Sequence, residues 1–243
     1  MLGKSRIKYI QSLGQKKFRE ETGLFIAEGP KIVNELLQPD ITRVTEVYAT
    51  RDWADANPGL VKKVPVQIVS DQELEKISQL QTPNQVLALV RQYAYQPADC
   101  KNGLVLVVCG IQDPGNLGTI IRIADWFAVE QVVCSPDTAD MYNPKVVQST
   151  MGSIGRVAVS YTPLLPWLEK QVDCPVYAMM LDGQDITRMP KPPKGILLLG
   201  NESRGVPAEL LEKADVKVTI PGRGGAESLN AAVAAGILLF HFT

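Results

Sequence analysis

From Leu104 onward the chain alternates between continuous apolar runs, LVLVVC, QVVCS, VAVSY, VYAMML, GILLLG and VKVTI, and stretches of helical periodicity. Runs without polar alternation are what strands buried on both faces require, and strand–helix alternation predicts a mainly parallel sheet with helices on both faces. The intervening helices read as LGTIIRIADWFA, NPKVVQSTMG, PLLPWLEKQ and PAELLEKA, and LNAAVAAGILLFHF closes the chain. Its apolar core, Leu229 to Phe240, is too short to cross a bilayer and reads as a buried helix. The first part is a smaller α/β region. A basic helical start leads into the strand LFIAEG, the helix PKIVNELLQ opened by Pro30, the strands RVTEVYAT and VPVQIVS, the helix DQELEKISQL capped by Asp71, and the strand QVLALVRQ. Polar, Pro- and Gly-containing sequence follows without apolar periodicity. The division is therefore a domain over 1–95, a linker over 96–103 and a domain over 104–243.

Charge adds a contrast between the parts. The whole chain carries 25 Lys+Arg against 26 Asp+Glu, which argues against binding nucleic acid by bulk charge, yet residues 1–31 hold seven basic and three acidic side chains. Tyr9, Phe18 and Phe25 interleave with that basic run, a pattern that suits backbone contact with base stacking and equally suits an ordinary core. The single histidine, His241, lies close to the C-terminus, which makes a His-based triad or a multi-His metal site hard to build. Cys100, Cys109, Cys134 and Cys174 form no CxxC pair and read as reduced, partly buried thiols of a cytoplasmic protein. No apolar h-region follows the basic start, so no secretory signal is expected.

Ligands of open parallel sheets bind beyond the carboxyl ends of the strands, which directs attention to three loops. GIQDPGNLGTIIR follows LVLVVC; its glycines permit close backbone approach, and Asn116 reads as the N-cap of the next helix. It is neither a G-x-G-x-x-G nor a Walker A loop. Leu117, Ile120, Ile121, Ala124 and Ala128 make the buried stripe of that helix, and Arg122 projects from the other side, near where a phosphate would be held. GNESRGVP follows ILLL and carries Glu202, a residue equally able to pair with Arg204 or to stay solvated. IPGRGGAESLN precedes the last helix, with Ser228 and Asn230 as alternative caps and enough glycine for the loop to wrap a ligand with its backbone.

Taken in order, Asn116 with Arg122, then Gly200-Asn-Glu202-Ser-Arg-Gly205, then Ser228-Leu-Asn230 resemble the three motifs of the SpoU family of SPOUT RNA methyltransferases. The N-terminal run KYIQSLGQKKFREETGLFIAEGPKIVNELL resembles that family's substrate-binding extension, a small α/β domain. The resemblance implies methyl transfer from S-adenosyl-L-methionine to a ribose 2′-hydroxyl, in ribosomal RNA first and transfer RNA as the alternative. It also implies a homodimer, a C-terminal trefoil knot, and a site without metal. By the same resemblance Asn116, Arg122, Glu202, Ser228 and Asn230 are catalytic positions, and Gly200, Ile220 and Leu229 contact the cofactor through main-chain atoms. Departures from the family pattern fall at Trp126, Ser203, Ala231 and Ala232, where they bear on helix packing and the dimer contact. Two other readings stand beside it. A Rossmann-type nucleotide enzyme fits the strand–loop–helix at Leu104 to Ala128 but lacks the glycine fingerprint, and a non-catalytic RNA-binding module has no need of Arg122, Glu202 and Asn230.

Overall fold

The computed structural model describes residues 2–38, 40–97, 99–100, 103–129 and 131–243. Of the expected linker, Ala98, Lys101 and Asn102 lie outside the described residues. By its internal contacts the chain forms two compact units, Met1–Tyr93 with Asp140–Gly155, and Ala94–Ala139 with Arg156–Thr243. The segment Asp140–Gly155, continuous in sequence with the second region, thus belongs by contact to the first.

In the first unit the elements are α1 (Lys4–Ser12), α2 (Lys16–Thr22), β1 (Leu24–Glu28), α3 (Pro30–Leu37), β2 (Val44–Ala49), α4 (Arg51–Ala56), α5 (Pro58–Val61), β3 (Val66–Ile68), α6 (Asp71–Ile77) and β4 (Val86–Arg91). The second unit begins with β5 (Leu104–Val108), α7 (Pro114–Trp126) and β6 (Gln131–Cys134); α8 (Pro144–Thr150) returns to the first. Then come β7 (Ala158–Tyr161), α9 (Leu164–Leu168), β8 (Val176–Asp185), β9 (Gly195–Leu199), α10 (Ala208–Leu211), β10 (Val216–Thr219) and α11 (Ala231–Phe242).

The first unit holds a four-stranded sheet in the order β1-β4-β2-β3, antiparallel except for β2 with β3. Phe25 is fully buried and packs on Tyr142 at 4.9 Å, so it serves the core and is not available for base stacking. Arg19 is buried as well. It donates to the carbonyls of Leu13 and Gly14 and to Asp140 Oδ2 at 2.6 Å, which ties the turn between α1 and α2 to the 140–155 segment. Arg6 pairs with Glu46, leaving Lys4, Lys8, Lys16, Lys17 and Lys31 as the exposed cations of residues 1–31. The cap of α6 is Ser70, one residue earlier than expected: its hydroxyl accepts from Glu73 N while Glu73 accepts from Ser70 N, a reciprocal capping box that Asp71 at the first helical position cannot make.

The second unit is an all-parallel six-stranded sheet in the order β10-β8-β9-β5-β6-β7. Side chains alternate across a strand. Val105, Val107, Ile196 and Leu198 form one apolar cluster with Leu164, Trp167 and Leu168 of α9 and Leu210 of α10. The alternate positions Leu106, Val108, Leu197 and Leu199 are equally buried, so both faces are covered, and α7 packs against β6 and α11. Two expectations for the helices change. α7 ends at Trp126, and Ala128, read as part of its stripe, lies beyond it, exposed, at a φ of 54°. The helix α11 is buried along one side only, with Val233, Ile237 and Phe240 exposed. Cys100 and Cys174 are paired as a disulfide across 74 positions with Cα atoms 6.3 Å apart, a correction to the reading of four free thiols that spacing along the chain could not supply. Cys109 and Cys134 stay free, and burial pushes the Cys109 thiol up to about 12. No described helix is long and apolar enough to cross a membrane.

Candidate active site

Asn116 is not the cap of α7. Asp113 is, its Oδ1 accepting from Asn116 N at 2.8 Å, with Pro114 at the first helical position where its missing N–H costs nothing. Capping by Asp113 frees the Asn116 side chain to project from the first turn. There Nδ2 donates to Glu202 Oε1 at 2.5 Å, and Oδ1 accepts from Asn230 Nδ2 at 3.0 Å. All three loops therefore meet at one amide. Its orientation is determined by the neighbours: Asn230 caps α11 through Oδ1, which accepts from Ala232 N at 2.9 Å and Val233 N at 3.4 Å, so only its amino group remains to face Asn116. Asn116 must then turn its own amino group to the Glu202 carboxylate. Of the two candidate caps for α11, Asn230 takes the role and Ser228 stays exposed in the loop.

The turn that carries Glu202 is closed by a bridge between Asn201 and Gly205, whose N–H and carbonyl groups pair reciprocally at 2.8 and 3.1 Å. Gly205 lies at a φ of 68°, in the left-handed region that glycine occupies without strain. Gly200 packs so closely that a Cβ there would stand 2.1 Å from the carbonyl carbon of Gly205. The sequence reading missed the part played by Asn201. Its Oδ1 accepts from Ser203 N and Arg204 N, and its Nδ2 donates to the carbonyl of Gly110 at 2.7 Å, joining the Glu202 turn to the loop that leads to Asn116. Gly110 is fixed from the other side, its N–H reaching Ser135 Oγ at 2.8 Å and Thr138 Oγ1 at 3.2 Å. The Asp-Pro pair at 113–114 was the legible signal for the cap; nothing local marks Ser135 or Thr138.

Arg122 stands apart from this cluster. It is exposed, and none of the described residues takes a hydrogen bond or ion pair from its guanidinium. Trp126 lies one turn further on the same side of α7 and is 84% exposed. Glu202 is likewise exposed and bonds Asn116 instead of Arg204.

Residues 221–230 are exposed throughout, and among the described residues no backbone–backbone hydrogen bond uses the N–H groups of 221–229. Leu229 and, on β8, Leu181 are exposed apolar side chains, and Thr219 Oγ1 donates to the Leu181 carbonyl at 3.0 Å. Unpaired main chain beside exposed apolar surface, at the carboxyl ends of parallel strands, fits a ligand that combines an aromatic base with polar edges.

A parallel α/β sheet whose loops converge on such a cluster defines a class of ligand-binding enzyme domains. Residues 103–240 match the SpoU rRNA Methylase family, and residues 4–88 match the MRM3-like substrate binding domain. The chain is 34% identical over 241 residues to the 23S rRNA (guanosine(2553)-2'-O)-methyltransferase RlmP of Bacillus subtilis, covering 97% of this chain and 95% of that protein. It is 26% identical to the 23S rRNA (uridine(2479)-2'-O)-methyltransferase of Streptomyces viridochromogenes, over 94% of this chain and 85% of the relative. Among solved structures, the AdoMet-bound rRNA methyltransferase of Sinorhizobium meliloti superposes with a TM-score of 0.88 at 29% identity, over all of this chain and 96% of that one. The chain belongs to the SpoU rRNA methylase family.

Proposed function

We propose that this protein is an RNA methyltransferase that moves a methyl group from S-adenosyl-L-methionine to a ribose 2′-hydroxyl of ribosomal RNA. The observation that carries the reading is the Asn230–Asn116–Glu202 chain of hydrogen bonds, which assembles the three family motifs into one site. The relatives that act on 23S ribosomal RNA over nearly the whole chain support ribosomal over transfer RNA. The exposed lysines of residues 1–31, in the unit that matches a substrate-binding domain, support contact with the RNA backbone.

S-adenosylmethionine supplies an electrophilic methyl group. Gly200, Ile220 and Leu229 would hold it by main-chain atoms, Leu229 adding apolar surface. Glu202 accepts from Asn116 through one carboxylate oxygen and keeps the other for orienting a ribose hydroxyl. Ser228 and Asn230 shape the loop beside it, and Asn230 holds the start of α11 as well as Asn116. Arg122 clamps the phosphate next to the target ribose and stabilises the negative charge that grows on the 2′-oxygen. A guanidinium stays protonated in proteins, so its contribution is electrostatic, with no service as a resting base.

The protein works as a homodimer. Trp126 on α7 and Val233, Ile237 and Phe240 on α11 are exposed apolar side chains on two helices that pack together, and Phe127 meets Phe240 at 6.3 Å, which supports a covered face here. Arg122 shares its helical side with Trp126, which supports a clamp at the edge of that contact.

The test is transfer of labelled methyl from S-adenosylmethionine to total RNA of a strain lacking the protein, with 2′-O-methyl mapping. Wild-type protein is expected to label one ribosomal position. Arg122→Ala is expected to lower turnover ~10²-fold or more, with Arg122→Lys intermediate. Near-normal rates in both variants at saturating RNA remove Arg122 from the mechanism, and a label confined to transfer RNA overturns the substrate assignment.

A further inference from the structure

Beside the Glu202 turn lies a cavity of about 510 Å³, within the ~300–1,000 Å³ typical of small-ligand pockets. It opens at the carboxyl ends of β5, β6 and β9, on the side of the sheet covered by α9 and α10, and Asn116 and Glu202 bond each other beside α7. None of Gly200, Ile220, Ser228, Leu229 or Asn230 lines it, although Asn201, Arg204 and Gly205 of the turn that begins at Gly200 do, so it adjoins the cofactor-holding residues without containing them. Its floor and walls mix two kinds of surface. Pro163, Leu164, Leu165 and Pro166 give a rigid apolar side, joined by the neutral thiol of Cys109. Asp137, Arg204 and Glu209 line it as well and supply charge.

The polar side chains are partly committed in advance. Asp137 Oδ1 accepts from Ser135 Oγ at 2.5 Å, and that hydroxyl in turn accepts from Gly110 N, so the carboxylate is anchored to the loop that precedes Asn116. Its Oδ2 and the Arg204 guanidinium have no partner among the described residues. Two carboxylates disfavour a free anion, and the apolar wall disfavours a bare cation. A planar group with adjacent N–H donors and, on another edge, acceptors for a guanidinium satisfies both. Guanine has that edge pattern: N1–H and N2–H₂ face a carboxylate, and O6 with N7 faces an arginine. Uracil and cytosine lack the paired donors next to an acceptor edge, and adenine offers no donor on its ring nitrogens.

We propose that this cavity is a base-recognition subsite that takes an unstacked guanine of the RNA substrate next to the nucleotide being methylated. Asp137 reads its Watson–Crick edge, Arg204 its acceptor edge, and the Pro163–Pro166 wall covers its face. The subsite rests on the RNA methyltransferase reading above. Arg204 and Asn201 belong to the turn that carries Glu202, so the subsite adjoins the site of methyl transfer and adds affinity for the RNA there.

The test has two arms. In the first, ¹⁵N-labelled protein is titrated with guanosine, inosine and cytidine 5′-monophosphates. Guanosine monophosphate is expected to shift the amides of residues 135–137, 164–165 and 204–205, inosine monophosphate, which lacks the 2-amino group, to bind several-fold more weakly, and Asp137→Asn to lose the discrimination. Absence of shifts there, or equal shifts with cytidine monophosphate, overturns the proposal. In the second, Asp137→Asn is expected to raise the KM for RNA ~5- to 150-fold, leaving kcat at saturation and the affinity for S-adenosylmethionine within twofold. An active wild type with an unchanged KM in the variant overturns the subsite alone. A wild type that methylates no RNA overturns the methyltransferase reading and the subsite with it.

Discussion

Asn116 owes its position in the site to Asp113, whose carboxylate takes the helix cap by accepting from Asn116 N, so that the asparagine side chain is released to bridge two loops. Asn116→Ala removes both side-chain bonds and leaves the cap intact. At roughly 1 kcal/mol per hydrogen bond, kcat is expected to fall at least ~10-fold, with little change in Tm; an unchanged kcat in a steady-state methyl-transfer assay would reject the bridge as a catalytic arrangement. Glu28 gives the same scale a stability test. Buried in β1, it accepts from Gln79 N at 2.9 Å and from Ser78 Oγ, yet burial outweighs these bonds and raises its pKa. A carboxyl whose folded pKa is raised binds protons more tightly folded than unfolded, so its contribution is full below the unfolded value and is lost as pH rises through the folded one. Glu28→Gln keeps its oxygen as the acceptor for Gln79 N and can turn its amino group to the Ser78 hydroxyl, without the charge. The variant is expected to show a higher Tm than wild type at neutral pH, the gap closing below the ordinary glutamate range. A pH-independent difference in thermal melts would contradict this.

Elements and their junctions were readable to different degrees. Apolar runs located the strands of both sheets, because burial on both faces leaves no other pattern for β5 or β9. Caps were misread by one to three residues at α6 and α7, since Ser70 and Asp71, or Asp113 and Asn116, are both good capping types and only backbone geometry selects between them. The turn from Gly200 to Gly205 was visible as glycine punctuation, but its closure through Asn201 was not. That closure makes a specific demand. Gly200→Ala would drive a methyl group into the backbone of Gly205 and Val206, and overpacking of this kind costs about 1–3 kcal/mol. A fall in Tm together with weakened S-adenosylmethionine binding by calorimetry is the expected result. A variant with wild-type melting and binding would show that the turn has slack.

For the whole molecule, net charge of −1 concealed an uneven surface. Exposed lysines gather in residues 1–31, whereas the second unit gathers exposed apolar groups on α7 and α11, with Phe240 72% exposed. If those groups are covered by a second copy, Phe240→Asp is expected to convert a dimer to monomer in sedimentation velocity and to reduce methyl transfer. A wild-type protein that sediments as a monomer at micromolar concentration would remove the dimer from the mechanism. The sequence alone determined the class of fold, the three loops and the residues in them, because buried parallel strands, glycine turns and motif order are properties of contiguous chain. Tertiary structure alone decided who bonds whom: Asn116 reaches Glu202 across 86 positions and Asn230 across 114, and Asp140–Gly155 joins the first unit although it follows β6. It also buried Phe25 and Arg19, two members of the supposed RNA-binding run, in the core. Periodicity reports which way a side chain faces within its own element, and partners so distant in sequence are chosen only when the strands have been placed in order.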